Sequence, residues 1–350
     1  MANNILILGA SYGSLLGTKL LMAGHDVTLV CRRKTAELIN AEGTEVRLKL
    51  KGEDAHRAIR STDLPGKLTA STPQDVTATD YDMVGLAMQE PQYAHHTLRT
   101  VLIRIAEERI PCLSIMNMPP LTFLKRIPGL DADKLGASYT DPGVWERFDP
   151  DFMTLCSPDP QAFRPPEEKP NVLHVGLPTN FKAARFADEN ANQLLKQLEA
   201  DIAAVTLDGN DVPVKLKVFD SIFVPLAKWS MLLTGNYRCI TRDEPRSIRD
   251  AVHDDLAKSQ EIYGFVDQLA QRLGADAGDA VPFEKYAKAA ESLLKPSSAA
   301  RAVAAGAPFI ERVDVLVKLI AQELDMSNAD IDETVDIVDD RLGENDPLSK

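Results

Sequence analysis

The chain has 350 residues, 39 Lys and Arg against 52 Asp and Glu, a formal net charge of −13 and 44% hydrophobic residues. That length holds about two domains with cores of their own, and the acidic balance, with no basic stripe, excludes a nucleic acid or membrane-surface partner held by charge. No run approaches the ~18 apolar residues of a bilayer span.

The start, MANNILILGASYG, carries no basic, cleavable leader. Cys31, Cys112, Cys156 and Cys239 are few and widely spaced, which predicts reduced thiols in a cytoplasmic protein and no metal site.

In chain order, Ile5 to Leu8 form a continuous apolar run, the mark of a strand buried on both faces. Leu15, Leu16, Leu20 and Leu21 then recur at helical spacing, Gly24 stands where a helix C-terminal cap belongs, and 25–30 reads as a second strand. This is a βαβ unit of minimal length. Strands near 82–88 and 111–116, with a helix over 93–108 between them, continue the alternation, so the first part is α/β with a parallel sheet.

Pro150, Pro158, Pro160, Pro165, Pro166 and Pro170 predict an irregular exposed insertion near 146–170. Its Trp145, Phe148, Phe152 and Phe163 read first as loop packing and second as a cover for a substrate. A helix over 185–202 leads to Asp208-Gly209-Asn210-Asp211, a turn that divides the chain into 1–207 and 208–350. Apolar steps of three and four over 220–236, 247–273, 283–294 and 309–324 make the second domain all-helical.

The glycine turn between a buried strand and a helix suits a dinucleotide pyrophosphate, met by backbone N–H groups and the positive helix end. Gly9, Ser11, Tyr12 and Gly13 would line it, in a turn one residue shorter than GxGxxG. Packing alone is the competing explanation of the glycines. At the tip of the second strand, where an NAD enzyme places an acid on the ribose, the chain reads Val30-Cys31-Arg32-Arg33-Lys34. Those cations select the 2′-phosphate of NADP, with Arg32 pairing it and Arg33 stacking on adenine or sharing the phosphate.

These features, together with Ile115-Met116-Asn117, with Lys228 and Asn236 eight residues apart, and with Ser297-Ser298 followed by Glu311, resemble the ketopantoate reductase family over most of the chain. The resemblance implies a Rossmann domain followed by a helical domain, NADP as cofactor, and reduction of a 2-oxo acid held between the domains. It further implies that Lys228 protonates the carbonyl oxygen, that Glu311, Asn236, Asn117 and Ser298 orient the substrate, and that Gln89 and Asn117 reach the cofactor. Three positions depart from the family pattern: Leu232 for an Asn, Met118-Pro119-Pro120 after Asn117, and Gln89 for a Lys. The reaction class is therefore better defined than the substrate.

Without the family, a ketone taking up hydride still needs a proton donor, and Lys228 among Leu226, Ala227 and Trp229 suits that role once partly buried. The competing reading is a surface lysine whose stem covers Trp229. Ser298 serves equally well as a helix N-cap, and Glu311 as a solvated helix charge. His95-His96 and His253-Asp254-Asp255 lack partners at ligand or triad spacing and read as surface groups. An opine- or imine-type dehydrogenase, and a protein that senses dinucleotide without catalysis, remain the alternatives. Dimerisation through the helical domain stays open.

Overall fold

The apolar run near the N-terminus folds as a strand, β1 (Asn4–Leu8), whose last four residues are at most 2% exposed. Burying each such side chain stabilises by roughly 1.5–3 kcal/mol. The computed structural model describes residues 2–346. After β1 come α1 (Gly13–Met22), β2 (Asp26–Val30), α2 (Arg33–Glu42), β3 (Glu45–Lys49), β4 (His56–Arg60), β5 (Leu68–Ser71), β6 (Met83–Leu86), α3 (His96–Glu107) and β7 (Cys112–Ile115). Then follow β8 (Met153–Ser157), β9 (Gln161–Phe163), β10 (Val172–Leu177), β11 (Phe181–Ala184), α4 (Glu189–Ala204), β12 (Thr206–Leu207), β13 (Asn210–Asp211) and β14 (Leu216–Phe219).

The main sheet has the order β14-β11-β8-β7-β6-β1-β2-β5. From β8 to β5 every neighbouring pair is parallel, whereas β11 runs antiparallel to β8 and parallel to β14. Because β2 and β6 flank β1, the chain crosses to opposite sides of β1 and leaves a crevice at the carboxyl ends of β1 and β6. Sheets of this kind place ligands there. A smaller sheet, β4-β3-β10-β9, contributes Val46, Leu48, Leu173 and Val175 to the same core.

Contacts divide the chain into two units, one of residues up to Met88, Gln92–Phe123 and Gly143–Asp220, the other of Gln89–Pro91, Leu124–Pro142 and residues from Ser221 onward. The division therefore falls at Asp220/Ser221 and not at 207/208. Asp208-Gly209 is the turn of the β12–β13 hairpin within the sheet unit. The proline-rich stretch also differs from expectation. Its prolines flank β8, which is buried at every residue inside the main sheet, and β9, which edges the smaller one. Met153 to Ser157 are free of proline, so a strand fits between the breakers. Trp145 and Phe148 are buried, with Trp145 packed on Tyr93 at 5.4 Å, so they are core residues and not a cover.

Every regular element of the second unit, among the described residues, is helical. A 3₁₀ turn (Val224–Ala227), an α turn (Lys228–Met231) and a π turn (Leu232–Asn236) open its longest stretch. They are followed by α5 (Ile248–His253), α6 (Leu256–Arg272), α7 (Phe283–Ala290), α8 (Ser298–Ala304), α9 (Val313–Glu323) and α10 (Ala329–Asn345). The helix expected over 247–273 breaks after His253 because the Asp255 carboxylate caps α6 by accepting from the Lys258 N–H at 2.9 Å. No helix among the described residues is long and apolar enough to cross a membrane.

Candidate functional site

In the sheet unit, the turn leaving β1 sits at the crevice. Gly9 has φ +111°, and a Cβ there would lie 2.7 Å from the Ala87 carbonyl oxygen; a Cβ at Gly13 would lie 2.6 Å from the Ile7 side chain. Both glycines are thus required by the tight turn and the close approach of helix to strand, two of the three roles glycines play in dinucleotide turns. The position of the third is taken by Ser11, which is exposed. Helix α1 starts with no side-chain cap and no acid in its first turn, which leaves the positive helix end to an anion. The Tyr12 hydroxyl donates to the Pro160 carbonyl at 2.7 Å and its ring meets Phe181 edge-on, so only its main chain faces the turn's chemistry.

Arg32 is the residue before α2, and Arg33 opens the helix, exposed, with its guanidinium 4.0 Å from the exposed Asp75 carboxylate. With Lys34 they load the first turn of α2 with cations and no acid. Positive charge at the positive end of a helix costs stability and is offset when an anion binds there. One cation in this region has no sequence signal: Arg164, just after β9, donates from Nη2 to the Ala10 carbonyl at 2.9 Å. Asn117 lies just past β7, half-buried, before the buried Met118-Pro119-Pro120.

In the helical unit, Lys228 opens the α turn, half-buried, next to the buried Trp229. The π turn that follows changes the expected alignment. Its hydrogen bonds span five residues instead of four, so each residue advances less than the α-helical ~100°, and the shared face inferred for Lys228, Leu232 and Asn236 does not extend unchanged to Asn236. Leu232 is 4% exposed and belongs to the core. Such π turns recur at functional sites.

Within the helical unit the segments carrying Asn236, Ser298 and Glu311 are nonetheless bonded to one another. Ser297 Oγ donates to the Asn236 carbonyl at 2.7 Å and accepts from the Ala300 N–H at 3.1 Å. The helix cap is therefore Ser297, and Ser298 is the exposed first residue of α8. The Tyr237 hydroxyl donates to the Glu311 carbonyl and accepts from the Val313 N–H at 2.9 Å, which pins the approach to α9.

Glu311 itself is 7% exposed, and its Oε1 accepts from the Glu90 N–H at 3.4 Å. Glu90, absent from the sequence expectations, adjoins Gln89 and is 2% exposed. Burial pushes its carboxyl up to about 7 and the Glu311 charge adds to this, while Thr140, donating from N–H at 3.1 Å and hydroxyl at 3.0 Å, opposes it. A carboxyl poised near neutrality beside a second acid is a group that can hold or pass a proton.

Residues 5–96 match the model of a family described as ketopantoate reductase PanE/ApbA. The resemblance seen in the sequence is borne out. Among solved structures, a protein of Ralstonia solanacearum MolK2 assigned as a ketopantoate reductase has 17% identity and a TM-score of 0.69, with 99% of each chain covered. D-mandelate dehydrogenase with NADH and anilino(oxo)acetate has 13% identity and a TM-score of 0.64, over 98% of this chain and 99% of that one. The dimeric ketopantoate reductase of Staphylococcus aureus has 11% identity and a TM-score of 0.64, over 98% and 100%. At these identities the likeness is one of fold: a parallel sheet domain followed by a helical one. Curated protein sequences give no match.

Proposed function

We propose that this chain is an NADPH-dependent reductase of a 2-oxo acid, of the 2-dehydropantoate 2-reductase type. The observation that supports it most is the joining, at one crevice of the sheet unit, of an uncapped α1, a glycine turn and the cations that follow β2. The donors present fit a dinucleotide: main chain of Ser11, Tyr12 and Gly13 for the pyrophosphate, in a turn that Gly9 shapes, and Arg32 and Arg33 for a 2′-phosphate, with Gln89 and Asn117 toward the nicotinamide end. The cofactor, when bound, supplies a hydride. Lys228 then gives its proton to the carbonyl oxygen as charge develops there, while Glu311, Asn236, Asn117 and Ser298 hold the remainder of the substrate.

The 2-oxo acid class also agrees with the fold shared with D-mandelate dehydrogenase, whose name marks a 2-hydroxy acid. Dimerisation like that of the S. aureus enzyme is part of the same reading. The experiment is NADPH oxidation followed against a panel of 2-oxo acids, 2-dehydropantoate included, with and without an added amine. Turnover with acid alone is expected. Turnover that needs the amine would make it an imine-type dehydrogenase, and tight NADPH binding with no turnover would make it a sensor.

A further inference from the structure

Strand β9 is fastened to the glycine turn at both ends, by the Tyr12 hydroxyl on the Pro160 carbonyl before it and by Arg164 Nη2 on the Ala10 carbonyl after it. The Ala10 carbonyl also accepts from the Ser14 hydroxyl, so one oxygen at the first bend of the turn gathers two donors. Arg164 is partly desolvated, and among the described residues no carboxylate pairs with it. Its charge opposes the rise that burial causes in the pKa of the Cys31 thiol, just past β2. A desolvated guanidinium without a counter-ion is costly, and Ala10 uses only part of its donor fork.

Position decides which anion it meets. The Gly9 N–H donates to the Val30 carbonyl at 3.0 Å, so Ala10 and Cys31 follow two strand ends bonded side by side. In sheets of this type the pyrophosphate lies at the start of the helix after the turn, and the adenosine ribose lies at the tip of the second strand. Arg164 is held on Ala10, one residue past the Gly9 N–H that bonds the end of β2.

We propose that Arg164, carried in by the second sheet, is a specificity-determining ligand of the cofactor's 2′-phosphate, completing the set begun by Arg32 and Arg33. This rests on the reading that the chain binds a nicotinamide dinucleotide, and it deepens that reading by assigning phosphate recognition to a segment outside the βαβ unit. The proline-flanked β9 thereby holds a third cation over a turn that is one residue short.

The test is equilibrium binding, without substrate, of NADPH, NADH, 2′-phospho-ADP-ribose and ADP-ribose to the wild type and to Arg164→Met, read by nucleotide fluorescence or calorimetry. Charge-assisted hydrogen bonds are worth enough for a loss of about tenfold to a hundredfold. That loss is expected for the two 2′-phosphorylated ligands, with NADH and ADP-ribose within about twofold of wild type. An equal loss for all four ligands, or no loss, overturns the assignment while leaving dinucleotide binding intact. A wild type that binds none of them overturns the underlying reading. Should Arg164→Met fail to fold, Arg164→Gln, which removes the charge and keeps an N–H for Ala10, is read by the same ratios.

Discussion

The crevice of the sheet unit and the acid cluster of the helical unit use polar groups in opposite ways. At the crevice the polar groups are main chain and the exposed cations Arg32, Arg33 and Lys34 after β2, beside a glycine turn held by close packing and by the donors that meet the Ala10 carbonyl. In the helical unit it lies in buried side chains, Glu90 and Glu311, held by hydrogen bonds from Thr140 and by the pinning of 311–313 on Tyr237. A surface of exposed charge tolerates exchange of its parts with small effects on stability. A buried acid pair links its protonation to folding.

Four variants sharpen or break that contrast. The largest expected effect is on rate: Lys228→Ala should lower kcat by about a hundredfold or more, with NADPH affinity and melting temperature little changed, as steady-state kinetics and calorimetry would record. Unchanged kcat would leave the helical unit without its proton donor. Gly9→Ala should cost about 2–3 kcal/mol in chemical denaturation, since φ +111° and the Ala87 carbonyl at 2.7 Å both oppose a side chain. Little loss would mean the turn is softer than its packing implies.

Glu90 then tests the buried acids. An unfolded Glu releases its proton near 4.5 and the folded one near 7, so the native state is the better proton binder in between. Stability from this group is complete below about pH 4.5 and is lost as pH rises through 7. Glu90→Gln should flatten that part of the stability profile, measured by urea titrations across pH.

Lys19 tests the sheet unit in the same way. Fully buried in α1, it donates to the Val212 and Pro213 carbonyls, and burial, aided by Lys215 and opposed by Asp211, lowers its pKa to about 7. The unfolded chain keeps that proton up to 10.5, so stability should rise with pH between about 7 and 10.5. In Lys19→Met that rise should vanish in the same titrations.

The two regions also differ in how far the sequence can be read. The βαβ unit, Gly24 as the residue closing α1, and the helical character of the second unit follow from local periodicity, which makes them legible. The proline-flanked stretch reads as a loop when its breakers are weighed alone, yet the five proline-free residues between them are enough for β8. Arg164 and Glu90 give no signal at all. Each owes its place to contacts with residues distant in the chain, Ala10 for one and Thr140 and Glu311 for the other. The π turn is equally hidden, because its residues also fit an α-helical pattern.

Reduction of a 2-oxo acid with NADPH deuterated at C4, followed by mass spectrometry of the product, tests the central claim most directly. The account predicts a 2-hydroxy acid carrying the label at C2. Bound NADPH with no labelled product from any 2-oxo acid would contradict it.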